Sequence, residues 1–109
     1  MADLLAVPAE RRSAIERLAK EFRAGRSVAL STHINSDGDG CGSEVALARL
    51  LSQLGIEARI ANPTPWPAMF EFLLGHDVRN DSADAEKTIR KADLIVVLDI
   101  SDLRRLGPL

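Results

Sequence analysis

The run Leu94-Ile95-Val96-Val97-Leu98, bounded by Asp93 and Asp99, constrains the fold more than any other feature of the chain. A continuous aliphatic segment rich in β-branched residues has no polar alternation, so the strand it predicts must be covered on both faces. Such a strand belongs inside a parallel sheet with helices on either side. The rest of the chain supplies the alternating elements. Ser27 to Thr32 predicts a buried strand, and Ile56 to Ala61, which alternates aliphatic with charged residues, predicts a second strand that is partly exposed or near an edge. Between them, Val45, Leu47, Ala48, Leu51 and Leu54 follow helical spacing over Glu44 to Leu54, with Ser43 as cap and Gly55 at the C-terminal end. Upstream, Pro8 to Gly25 places Ile15, Leu18, Ala19 and Phe22 on one face of an amphipathic helix. Pro63, Pro65 and Pro67 hold an extended break before a short helix over Ala68 to Leu74, ended by Gly75. Asp81 to Lys91 predicts a polar helix with Ala85, Thr88, Ile89 and Ala92 inward. The class is α/β: a Rossmann-like parallel sheet flanked by helices, in one unit spanning residues 1–109.

Composition narrows the function. Fourteen Lys plus Arg against sixteen Asp plus Glu, a net charge of −2, give no overall basic field to hold a long nucleic-acid backbone. An anionic ligand must therefore be caught locally or through a metal. No apolar run approaches the roughly 18 residues of a membrane span, and Met1 to Pro8 lacks the basic start of a signal peptide, so the expected location is the cytoplasm, with no membrane partner. One cysteine, Cys41, can form neither an internal disulfide nor a thiolate zinc site.

Ligands of parallel α/β sheets sit at the carboxyl ends of the strands. Both polar clusters are predicted there. His33 to Gly42, read as a loop, carries His33, Asp37 and Asp39 after the first strand, and Asp99 ends the last one. Carboxylates gathered in one crevice repel unless protonated or neutralised, and a divalent ion neutralises them while accepting imidazole. The oxygen-rich donor set with one histidine suits Mn²⁺ or Mg²⁺ better than structural zinc. Taken singly, each feature has a plainer reading: Asp-Gly pairs form turns, His33 is a hydrogen-bonded loop residue, and Asp99 caps a helix. Two independent strand ends delivering acids to one crevice favour the metal. The rival reading, a phosphate-cradling glycine loop, has Gly38, Gly40 and Gly42 at Gly-x-Gly-x-Gly spacing, flanking carboxylates that repel a pyrophosphate, and no Walker lysine.

The segment from His33 through Asp37 and Asp39 to Gly42-Ser43 resembles the first motif of the DHH phosphoesterase superfamily, H-x-x-P-D-x-D-x-x-G-S. Leu94 to Asp99, followed by Ile100-Ser101-Asp102-Leu103-Arg104-Arg105-Leu106-Gly107, resembles the second, an aliphatic strand ending in Asp-x-Ser-Asp and then Arg-Leu-Gly. The pattern is most similar to the oligoribonuclease-like branch, NrnA-type nanoRNases and pAp phosphatases. Ser36 departs from the family by standing where proline is usual. The family's Asp-His-His motif, its fourth acidic motif and its DHHA1 domain would lie beyond Leu109, so the chain resembles the N-terminal third of such an enzyme.

The resemblance implies a two-metal phosphoesterase acting on short RNA or small nucleotide phosphates. His33 and Asp37 would bind one ion, Asp39 the other, and Asp99 both, with Asp39 and Asp99 central to catalysis. Gly42 would pack closely and Ser43 cap the helix behind the site. Asp102 is expected to be structural, Arg104 and Arg105 a solvated pair, Cys41 a small core residue, and Trp66 a plug between the proline loop and the Phe70–Phe72 segment rather than a base-stacking platform. The isolated 109-residue chain is expected to be silent and either to self-associate along an uncovered sheet edge or to fold only marginally. The alternative function is a non-catalytic nucleotide- or metal-binding module, or a truncated fragment.

Overall fold

The computed structural model describes residues 6–23 and 25–109. The expectation drawn from the chain's first residues rests largely on residues 1–5, which lie outside them. Among the described residues, no helix is long and apolar enough to cross a membrane.

Four strands, β1 (Ser27–Ser31), β2 (Glu57–Ile60), β3 (Arg79–Asn80) and β4 (Leu94–Val97), form one parallel sheet in the order β3-β2-β1-β4. Among the described residues three α-helices accompany them: α1 (Ala9–Glu21), α2 (Gly38–Gln53) and α3 (Ala85–Lys91). The α/β architecture is the expected one. β1 lies at the centre, with Val28 paired to Ala58 on one side and to Leu94 on the other. The core forms where Val28 and Leu30 of β1 and Ile60 of β2 meet Val45, Ala48 and Leu51 of α2, with Ile56 closing the end. Successive strands step outward from β1 to β2 to β3, and the chain then crosses back to place β4 on the far side of β1. That reversal opens a crevice between the carboxyl ends of β1 and β4, where open α/β sheets bind ligands.

Several sequence expectations change. The Leu94–Leu98 run is not covered on both faces. Among the described residues β4 is the edge strand, bonded to β1 alone, and Ile95 is 45% exposed. α2 begins at Gly38, not after Ser43, because the Asp37 carboxylate accepts the Gly40 N–H and caps the helix there. Gly42 has open space where a side chain would stand; the glycine in close contact is Gly40, against Thr32. β2 is interior by pairing, though only two residues of β3 cover its outer side. β3 itself carries no apolar pattern that could announce it. The Ala68–Leu73 segment is a 3₁₀ helix, and Asp81 to Lys91 splits into a 3₁₀ turn at Ser82–Asp84 followed by α3. α1 forms as expected, yet its stripe stays open, with Ile15 and Leu18 nearly half exposed and Phe22 alone of the four packed on the core.

Candidate functional site

β1 delivers a buried segment, Thr32 and His33, to the end of the sheet. The chain then turns through Asn35, whose φ of 52° is one that asparagine tolerates better than most residues. It re-enters regular structure at the Asp37 cap. Asp99, two residues past the end of β4, has φ 58°, a left-handed conformation costing about 1–2 kcal/mol for a residue with a Cβ. This bend brings its carboxylate toward His33 instead of along the strand.

His33 Nδ1 lies 2.8 Å from the Ile34 carbonyl oxygen. A carbonyl only accepts, so this contact places the ring proton on Nδ1 and leaves a lone pair on Nε2 of the neutral ring. Nε2 faces Asp99 Oδ2 at 3.4 Å and Asp37 Oδ1 at 3.6 Å. Both separations exceed the ~3.2 Å limit of an ordinary N–H···O bond. One donor atom from each of the three side chains falls within 4.8 Å of the others. Three electron-pair donors thus face one another without a donor hydrogen between them, an arrangement balanced by a cation or by a second proton on His33. Ligating histidines characteristically commit the other ring N–H to a carbonyl in this way. The donor set fits a hard divalent ion with an affinity for imidazole.

Asp37 serves the helix and the crevice together. The Gly40 N–H holds its carboxyl below the usual carboxylate range, with partial burial opposing the shift and His33 reinforcing it. Asp39 stands in the first turn of α2, exposed to solvent, and is not among the three converging residues. Asp102 accepts the Arg104 N–H and pairs with the Arg104 guanidinium at 2.6 Å, capping the Leu103–Leu106 turn. Cys41 is fully buried, its thiol directed to Ser36 Oγ at 3.5 Å, and burial pushes its pKa up, so it is a core residue and no nucleophile. Trp66 packs against the core and donates Nε1–H to the Phe70 carbonyl, the plug expected of it.

Behind the crevice lies a buried polar group that the motif reading overlooked. Asn62 Oδ1 accepts the Thr32 N–H at 3.1 Å, and its Nδ2 donates to Glu44 Oε1 at 3.0 Å. Thr32 Oγ1 donates to the Leu98 carbonyl at 2.9 Å. Glu44, Asn62 and Thr32 have no exposed surface, and burial raises the Glu44 pKa to about 8. The sequence did carry a signal: Glu44 falls on the same helical face as Ala48 and Leu51, among residues destined for the core.

Among solved structures, the chain is similar to the crystal structure of an exopolyphosphatase-related protein from Bacteroides fragilis, at 22% identity and a TM-score of 0.76. The alignment covers 98% of this chain and 31% of that one. At this identity the likeness establishes a shared fold. No family model and no curated protein matches the chain.

Proposed function

We propose that the crevice between β1 and β4 binds Mn²⁺ or Mg²⁺ and that the whole protein is a metal-dependent phosphoesterase of the DHH type, acting on short oligoribonucleotides or small nucleotide phosphates such as pAp. The observation that carries this reading is His33 Nε2, aimed between Asp37 and Asp99 while Nδ1 is held by the Ile34 carbonyl. The two motifs that resemble the DHH pattern supply these residues from separate strand ends, and the structurally similar protein is exopolyphosphatase-related, a name drawn from phosphoryl chemistry.

In this reading His33 and Asp37 would hold one ion, Asp39 would supply a ligand to a second, and Asp99 would serve both. A bound divalent ion supplies Lewis-acid polarisation of a phosphoryl oxygen and charge neutralisation. The chain's own residues do the positioning. The Ile34 carbonyl orients the His33 ring and holds a proton on Nδ1, the Gly40 N–H fixes Asp37, and the left-handed backbone at residue 99 turns its carboxylate inward. A non-catalytic metal- or nucleotide-binding module is the second reading, favoured by the position of Asp39 outside the converging group.

The test uses the whole protein with Mn²⁺ and a short RNA dinucleotide. Asp99→Ala should remove nearly all turnover while the protein still melts cooperatively. Mn²⁺ should raise the melting temperature, and Asp39→Asn should weaken that rise. Wild-type turnover by folded Asp99→Ala refutes the assigned role, and a Mn²⁺-induced shift without hydrolysis supports the module.

A further inference from the structure

Thr32 touches every segment that carries a converging side chain. It precedes His33 in the chain, its hydroxyl holds Leu98 beside Asp99, and its side chain fills the space against Gly40, whose N–H fixes Asp37. A Cβ at Gly40 would stand 2.8 Å from Thr32 Oγ1, so the first turn of α2 is seated directly on this residue. Where Thr32 lies is therefore where the crevice is set.

Its backbone position is fixed by Asn62. The Ala61 N–H still bonds to the Leu30 carbonyl, but the next residues turn away into Pro63, and the Asn62 side chain takes the place of a ladder carbonyl for the Thr32 N–H. The amide can serve this way in one orientation only, because a flipped amide would set two donors against each other. Glu44 Oε1, accepting from Nδ2, selects that orientation. This arrangement carries a cost: Glu44 Oε2 has no partner, and a nonpolar side chain would suit the apolar face of α2 better. Stability alone does not account for it.

We infer that Asn62, oriented by Glu44, is a positioning residue that acts through Thr32 to set His33 against Asp99. The inference rests on the metal-site reading above. Asn62→Leu removes both hydrogen bonds while keeping the branched shape in a larger volume, and Thr32→Val removes the hydroxyl without changing shape. Glu44→Gln keeps an acceptor for Nδ2 and serves as the conservative control.

Two readouts separate this inference from the functional reading. The first needs no metal: long-range ¹⁵N–¹H spectra of the His33 ring, recorded at alkaline pH on the neutral ring and assigned by the signals lost in His33→Gln. The wild type and Glu44→Gln should show the single Nδ1–H tautomer, whereas Asn62→Leu and Thr32→Val, melting cooperatively, should show mixed tautomers. The second is Mn²⁺ affinity by electron paramagnetic resonance. It should be near wild type in Glu44→Gln and roughly tenfold weaker or worse in the other two. If Asn62→Leu does not fold, the smaller Asn62→Ala, which removes the same two bonds, carries the decision, because the Thr32 N–H that Asn62 holds survives in Thr32→Val. A folded variant with wild-type tautomer and affinity overturns the inference. If the wild type binds no Mn²⁺, the functional reading falls, and the tautomer comparison still decides the positioning role.

Discussion

Gly40 and Gly42, two residues apart in one helix, have opposite roles. Gly40→Ala would drive a methyl group into Thr32 and should destabilise the fold by about 1–3 kcal/mol. Gly42→Ala meets nothing and replaces a poor helix former, so it should stabilise by about 0.5–1 kcal/mol. Denaturant unfolding of the pair measures both signs. Glu44 gives the fold a pH dependence of its own. Its pKa rises from 4.5 to about 8 on folding, so the native state holds a proton that the unfolded state releases between those values. Its contribution is undiminished below pH 4.5, declines by about 1.4 kcal/mol per pH unit through that window, and levels off above about 8. Glu44→Gln should flatten that decline in urea melts recorded from pH 5 to 8; an unchanged slope would show that another group is responsible. His33, Asp37 and Asp99 were legible because histidine and paired carboxylates at strand ends have a distinctive chemistry. Glu44, Asn62 and Thr32 were not, since a buried hydrogen-bonded acid and an exposed one look alike until the helix face is assigned.

The element that departs most from its sequence reading is α2. Gly38, Asp39 and Gly40 are poor helix formers, and propensity alone assigns them to a turn. The Asp37 cap and the seat of Gly40 against Thr32 override propensity, starting the helix at Gly38 instead of Glu44, more than a turn and a half earlier, and drawing Asp37 to the crevice. This double duty can be separated. Asp37→Ala should cost about 1 kcal/mol of stability from the lost cap. Asp37→Asn keeps an oxygen for the Gly40 N–H, so its melting temperature without metal should stay near wild type while the Mn²⁺-induced rise shrinks. Equal metal responses in Asp37→Asn and wild type would mean that the aspartate serves the helix alone. β4 was recognisable as a strand from its aliphatic run, but its place at the edge depends on strand order, which periodicity does not encode. β3, two residues held beside Arg59 and Ile60, has no local signature at all.

On the scale of the molecule, the radius of gyration is 14.4 Å, against ~13 Å for a compact chain of this length. The difference fits the surfaces left open: the stripe on α1, and β4 with Ile95 and its unpaired edge. The 109-residue chain by itself should therefore associate at micromolar concentrations, and Ile95→Lys should shift it toward monomer in light scattering. On the proposed DHH-type reading it should also leave an RNA dinucleotide intact, since it would carry only two of that family's four motifs; turnover by a monomer would show that two suffice. The crossing of the chain from β3 back to β4 has a kinetic consequence. β1 meets β2 across a separation of 30 residues, whereas Thr32 and Leu98 are 66 apart. Closing the longer loop costs about 0.7 kcal/mol more in chain entropy. The β1–α2–β2 unit can thus collapse around its own core before β4 docks, and His33 and Asp99 become neighbours in the last pairing event. A cation recognising both recognises a late-formed contact, so its binding slows unfolding far more than it speeds folding.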